Sequence, residues 1–384
     1  MAGAEGWKKG RLPYLMYFAA AGSVTPFMVL YFERNGLTPT AIGLLGSLAA
    51  AVAIVPGLLW VSWSDRLMRR RPFLLFGLLV QMVAWLIFPL ASSFYQFLLL
   101  MVAMSALIPP IEALMNVWIL GKLEIGKLGT GYGLVRIWGS IGWIIATVAV
   151  GALIESTDIR YAFVIGAGLI ALVMIQPIHD EEAEHADKTL GGQRTRNIRG
   201  ILPFGIATVI RAFSVGMTYT FLSVYLDRIG TPFWLIGWGW AISALPEIPL
   251  MVLAGRLSDK IGRMPLLAAG FLCSSTMAFI FAFIDRPILA VPFMSLSGVS
   301  YALTYISSVG FLADVAPRDK QATAQGVYSI ITTHLPRVAG PFTGGLIIDT
   351  YGLDSMFLLA GTLTLSAAML LLGSRRIWRP PNGG

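Results

Sequence analysis

Apolar runs of about twenty residues recur along the whole of this chain, each parted from the next by a short polar connection. An α-helix needs about 20 residues to cross the hydrocarbon of a bilayer, and inside it every backbone N–H and C=O must be bonded within the chain, which a helix achieves. Composition agrees: of 384 residues 56% are hydrophobic and 12% charged, with a mean hydropathy of +0.74, whereas a water-soluble protein carries about 25% charged residues. A soluble enzyme and a disordered tail are excluded. At roughly 30 residues per span and connection, the length holds about twelve or thirteen spans and leaves no separate soluble domain.

The spans are expected at about 11–32, 40–63, 72–91, 95–120, 133–154 and 160–178, then at about 201–226, 233–255, 265–284, 288–312, 322–348 and 353–374. Between the two sets of six lies His179 to Gly200, an acidic run followed by Arg194, Arg196 and Arg199. The expected architecture is therefore an all-α integral membrane protein of twelve transmembrane helices, with halves 1–178 and 201–384 joined by a cytoplasmic linker, 179–200. With both termini inside, the cytoplasmic side receives 21 of the 28 Lys and Arg residues and the opposite side four, Arg34, Arg160, Arg228 and Arg286. Such a bias over short loops orients the chain N-in and C-in. The net charge of +8 is thus a matter of topology rather than of nucleic-acid binding. Lys8, Lys9 and Arg11 precede an apolar run too long for the core of a cleaved signal peptide. The single cysteine, Cys273, excludes an internal disulfide and a Cys-based metal cluster.

The halves repeat. Trp63-Ser64-Asp65-Arg66-Leu67-Met68-Arg69-Arg70-Arg71 joins spans 2 and 3, and Gly255-Arg256-Leu257-Ser258-Asp259-Lys260-Ile261-Gly262-Arg263 joins spans 8 and 9, placing Asp65 and Asp259 194 residues apart. Matching loops at half-chain offset mark a parallel duplication. Glycine permits a tight turn at the membrane surface, and an Asp at a helix N-terminus is favoured by the macrodipole. The second loop closely matches, and the first partly matches, the Gly-x-Leu-x-Asp-Arg-x-Gly-Arg-type loop of the major facilitator superfamily, which the chain resembles over its whole length. The resemblance implies a gating role for Asp65, Arg66, Asp259 and Arg263, besides the plainer one of a topology anchor.

An ionisable side chain at membrane depth costs about 3 kcal/mol or more and normally faces a cavity or a partner. Setting loop charges aside leaves Glu112 in span 4, Arg136 in span 5, Arg211 in span 7, Glu247 in span 8, and His334 with Arg337 in span 11. In span 5, Arg136, Gly139, Ser140 and Trp143 fall at i, i+3, i+4 and i+7 and so share a face. A guanidinium fork, an indole and the space left by a glycine suit a planar polar ligand. Close helix packing through Gly139 and Gly142, with Arg136 paired to an acid, is the other reading. Asn116, one turn after Glu112, shares its face.

Here the resemblance narrows to the lactose permease and phenylpropionate permease branch of the superfamily, carried by Pro110-Ile111-Glu112-Ala113 and by Gly133-x-x-Arg136-x-x-Gly139-Ser140-x-Gly142-Trp143. It implies that Glu112 and Arg136 bind the substrate and that Trp143 stacks on it. Glu247, in Ala244-Leu245-Pro246-Glu247-Ile248-Pro249, is similar to an acid that branch uses for substrate and proton coupling. The match fails at Pro287-Ile288-Leu289-Ala290, where the lactose permease carries a His and a Glu, and at Thr276, where it has an arginine. Galactosides are therefore not implied.

A carboxylate alternating between a desolvating cavity and a nearby arginine can carry a proton. Glu247 is the first candidate, with Arg211 as its balancing charge or as a purely structural ion pair. His334 is the alternative, against a neutral histidine bridging two helices, with Arg337 on the same face. Tyr301 and Tyr305 at i and i+4, and the Gly340 to Gly344 pair, default to packing. No nucleotide-binding, zinc-protease or hydrolase motif is present. These residues point to a monomeric secondary carrier of a bacterial-type inner membrane, importing a small polar or aromatic solute. It needs no cofactor or metal, and the proton is its coupling ion. An efflux antiporter of the same fold is the runner-up, and an intramembrane receptor or enzyme a distant third.

Overall fold

The computed structural model describes residues 3–67, 71–108, 111–112, 114–115, 128–176, 201–315 and 335–374. The described residues are helical apart from turns and short connections, with no strand among them. The first sequence half contributes α1 (Gly3–Arg34), α2 (Pro39–Leu67), α3 (Arg71–Ile87), α4 (Phe94–Leu107), α5 (Leu128–Ser156) and α6 (Tyr161–Met174). The second contributes α7 (Ile201–Arg228), α8 (Phe233–Ala244), α9 (Glu247–Ile261), α10 (Arg263–Phe283), α11 (Pro287–Phe293), α12 (Ser295–Val315), α13 (Leu335–Tyr351) and α14 (Leu353–Ser374). Among the described residues, eight helical stretches are long and apolar enough to cross a membrane, and α4 and α6 lie in shorter apolar ones.

Three expected spans are interrupted, each at or beside proline. The span expected over 95–120 stops at Leu107, with Ile108 at φ −84° and ψ 112°. Pro109 and Pro110 follow, and a residue before proline is pushed out of the α region. The span expected over 233–255 is split between α8 and α9 at Leu245-Pro246, because Pro246 and Pro249 have no N–H to give to the preceding turn. The span expected over 288–312 breaks at Met294, two residues after Pro292. Asp65 and Asp259 also differ from expectation: each lies in the last turns of the helix before its loop, at the C-terminal end of α2 and α9, rather than at a helix N-terminus. The macrodipole there is unfavourable to an acid, so it does not account for these aspartates. Gly262, which ends α9 at φ 99°, occupies a conformation that favours glycine.

The chain forms two compact units: 1–37, 48–187 and 231–241, and 38–47, 188–230 and 242–384. In the first, α1 packs on α5 and α6, and α3 on α6 and α4. In the second the same pairings recur with the corresponding helices, α7 on α13 and α14, and α10 on α14 and α12. Individual side chains repeat too. Tyr31 donates its hydroxyl to the carbonyls of Pro89 and Ala91 at 3.2 and 3.1 Å and meets Phe163 edge-on at 5.1 Å. Tyr225 donates to Ile284 O at 2.6 Å and meets Phe357 edge-on at 5.1 Å. Both pairs are offset by 194 positions, as Asp65 and Asp259 are. Each tyrosine satisfies a carbonyl in the turn that follows α3 or α10, where a bare C=O would be costly.

Candidate functional site

In the first unit α5 supplies a guanidinium, a hydroxyl and an indole. Arg136, Ser140 and Trp143 are all half-buried. The Cζ of Arg136 stands 4.5 Å from the ring centroid of Phe18 on α1, within cation–π range. Gly139 makes that stacking possible, since a Cβ there would come within 2.9 Å of the Phe18 ring and 3.2 Å of Arg136 Nη1. Gly142 serves the other purpose weighed for this face: a Cβ on it would collide with the carbonyl oxygen of Leu15, so it sets the close approach of α1 and α5. Glu112 is exposed, and its charge reaches the hydroxyl of Tyr17, the α1 neighbour of Phe18. α1 is thus the element to which both the acid and the arginine are referred. Trp143 meets Trp240 of α8 edge-on at 6.1 Å. Asn116 lies outside the described residues.

The second unit holds a separate polar cluster on α7, α9 and α12. Arg211 donates from Nη2 to Ser300 Oγ at 3.0 Å, and its Cζ lies 5.2 Å from the Phe271 ring centroid. Two turns along α7, Tyr219 is hydrogen-bonded to Ser297 and feels the charges of both Arg211 and Glu247. Glu247, half-buried, is the first residue of α9, directly after the Leu245-Pro246 break. That break is held against α12 by Gly298, where a Cβ would collide with Ser243 O and approach Pro246 Cδ to 3.4 Å. Tyr301 and Tyr305, beside the buried Ser300, are stacked at 5.7 Å and are 37% and 46% exposed. Arg337 on α13 is exposed, and His334 lies outside the described residues.

Of the gating candidates, the side chains of Asp65, Arg66 and Asp259 lie outside the described residues. Arg263 makes an ion pair from Nε to Asp314 Oδ2 at 3.2 Å and donates from Nη1 to Ser258 Oγ at 2.8 Å, tying the start of α10 to the end of α12 and to α9. A Cβ at Gly310 would come within 2.9 Å of that Nε, so the glycine admits the guanidinium.

Tyr17, Phe18, Trp240, Tyr219, Ser297, Ser300 and Asp314 were not among the residues singled out from sequence. Spacing offered a signal for the first two: Tyr14, Tyr17 and Phe18 follow i, i+3, i+4 on α1.

Residues 10–359 match the family described as MFS_1 like. A maltose permease of Geobacillus stearothermophilus is 25% identical over 367 residues, covering 94% of this chain and 92% of that protein. A multidrug resistance protein, MdtG, of Citrobacter koseri is 24% identical over 378 residues, covering 93% and 92%. Among solved structures, a point variant of the nucleoside transporter NupG superposes with a TM-score of 0.82 at 16% identity, covering 97% of this chain and 100% of that one. A bacterial homologue of the lysosomal transporter Spinster gives 0.73 at 16%, covering 97% and 96%. At such identities the structural likeness speaks for the fold alone. The duplicated helix pairings, the charges held among apolar helices and a family match over nearly the whole length place this chain in the MFS_1 like family, as a multi-pass membrane transporter and not an enzyme.

Proposed function

We propose that this transporter is a proton-coupled symporter that imports a small polar or aromatic solute. Its substrate contacts are Glu112, Asn116, Arg136, Ser140 and Trp143, and its coupling site is centred on Glu247 and Arg211. The observation that carries the reading is Arg136 laid on the face of Phe18 beside Gly139. A guanidinium, unlike an ammonium, is a planar fork whose geometry matches a ligand with paired hydroxyl or carboxylate oxygens. Sugars and nucleosides head the candidates, since relatives in sequence and fold bear the names maltose permease and nucleoside transporter. Aromatic acids follow from the indole of Trp143. No cofactor is proposed; the proton is the coupling ion.

The reading includes twelve membrane-spanning segments in two halves, 1–178 and 201–384, around the linker 179–200, with both termini inside the inner membrane of a bacterial-type cell and the protein acting as a monomer. Reporter fusions after Lys188 and after Arg376 are expected to behave as cytoplasmic, and one between Glu155 and Arg160 as external. An external linker would overturn the topology and the parallel duplication with it.

The test of substrate class is a thermal-shift screen of sugars, nucleosides, aromatic acids and drugs on purified protein, followed by uptake into vesicles. A ligand at a hundred times its Kd stabilises the folded state by about 2.7 kcal/mol, well within reach of a melting curve. The second reading, drug efflux, is favoured by the MdtG relatives. Stabilisation by several chemically unrelated drugs, with extrusion driven by protons moving down an inward gradient, would establish it in place of import.

A further inference from the structure

α2 and α8 begin alike. A glycine at φ 81° closes the preceding helix in each case, Gly36 after α1 and Gly230 after α7. A Thr-Pro pair follows, Thr38-Pro39 or Thr231-Pro232, and the N–H of the next residue is bound by a carboxylate from a distant helix. Thr40 N donates to Asp349 Oδ2 at 2.8 Å within the second unit, and Phe233 N donates to Glu155 Oε2 within the first. Glu155 stands at the end of α5 and Asp349 at the end of α13, and they are 194 positions apart, the offset of the duplicated loops. Each acid therefore caps a helix that belongs to the other sequence half.

The chemistry of a helix start explains the choice of an acid. First-turn N–H groups have no partner inside the helix, and the macrodipole favours negative charge there. In α2 the donors are accounted for one by one: Pro39 has none, Ala41 N bonds Thr38 Oγ1 at 3.3 Å, and Thr40 N is left for Asp349. Around each cap the backbones touch. A Cβ on Gly43 or Gly345 would collide with the carbonyls of Pro341 or Pro39. One on Gly237 would collide with that of Thr147, and one on Gly151 would come within 2.7 Å of Phe233 O. Such contacts are non-directional, whereas a carboxylate on a helix N-terminus is a directional bond that either holds or is lost.

We propose that Glu155 and Asp349 are a matched pair of latches. Each closes the end of the carrier remote from Asp65 and Asp259 by capping a helix of the opposite sequence half, and that end opens when both let go. The proposal stands whatever the solute and whatever the coupling ion.

Buried cysteines in the two crossings test it. With Cys273→Ser as background, Ser47→Cys reports on the α2–α13 crossing, where Ser47 Oγ accepts from Phe342 N and the residue is 6% exposed. Thr147→Cys, fully buried beside Gly237, reports on the α5–α8 crossing. When closing outpaces labelling, the alkylation rate follows the open population, however small. Losing a cap of typical strength is expected to raise that population roughly five-fold, and losing both, which share no partner, roughly twenty-five-fold. Glu155→Ala and Asp349→Ala should each quicken labelling at both cysteines, because a latch acts on the whole closure. Acceleration confined to the nearer cysteine would show a cap that merely steadies its own helix end and would overturn the proposal, as would an unchanged double variant. If the double alanine variant does not fold, Glu155→Gln with Asp349→Asn, which keeps an oxygen acceptor without the charge, must still quicken both sites for the proposal to survive.

Discussion

Arg136→Lys and Glu112→Gln are each expected to remove substrate binding while leaving the protein folded. In the structure the Arg136 guanidinium lies on the face of Phe18 at 4.5 Å, an arrangement a lysine ammonium can also adopt. If stacking were all that the position required, lysine would be tolerated. A ligand gripped by two parallel N–H groups is another matter, because an ammonium is a point charge without the fork. Loss of a charge-assisted bidentate contact is expected to weaken binding on the order of a hundred-fold or more, corresponding to about 3 kcal/mol. For Glu112→Gln the carboxylate acceptor is lost at nearly constant shape, and a solute hydroxyl that donated to it loses its charged partner. Titration calorimetry with the solute identified by the thermal-shift screen measures both. Melting temperatures within a few degrees of the parent separate loss of the site from loss of the fold. Full affinity in both variants would leave Arg136 and Glu112 as structural groups and remove the main support for the proposed substrate site.

The helical, membrane-spanning character of the chain and its duplication were legible because both are one-dimensional signals, apolar run length and a loop repeated at fixed offset. The interruptions at Ile108, Leu245-Pro246 and Met294 were less so. An apolar count treats Pro110 or Pro246 as one more residue of low polarity, although each constrains its neighbour's backbone and lacks a donor. The partners of the site were harder still. Helices that are apolar nearly all round carry little information about which face meets which neighbour, so nothing in span 5 points to Phe18, and nothing in span 7 to Ser300. Repeats such as Tyr31 with Tyr225, or Glu155 with Asp349, are present in the sequence but hidden there. A tyrosine in an apolar run reads as packing, and an acid at a span end reads as a solvated loop charge.

Glu247→Gln is expected to abolish concentrative uptake while preserving exchange. The residue opens α9 immediately after a break in the backbone, half-buried, where its charge acts on Tyr219 together with that of Arg211. Irregular backbone at membrane depth is tolerated where it is covered by protein or lines a cavity, so a carboxylate at this break has a place both to bind a proton and to release it. Glutamine resembles the protonated acid in shape and charge, and fixes the site in one of its two states. Exchange of solute across a membrane without a gradient requires only that the loaded carrier reorient, which a permanently neutral residue allows. Net accumulation requires the proton to leave on the inside. A proton moving through 100 mV carries about 2.3 kcal/mol, a concentration ratio of roughly fifty, and the variant forfeits all of it. Uptake of labelled solute into energised vesicles should therefore level off near equal concentrations, while counterflow in vesicles without a gradient continues at close to the parent rate. His334→Gln is expected to keep both activities. Uncoupling by the His334 change, with the Glu247 variant still concentrating solute, would move the proton site from Glu247 to His334.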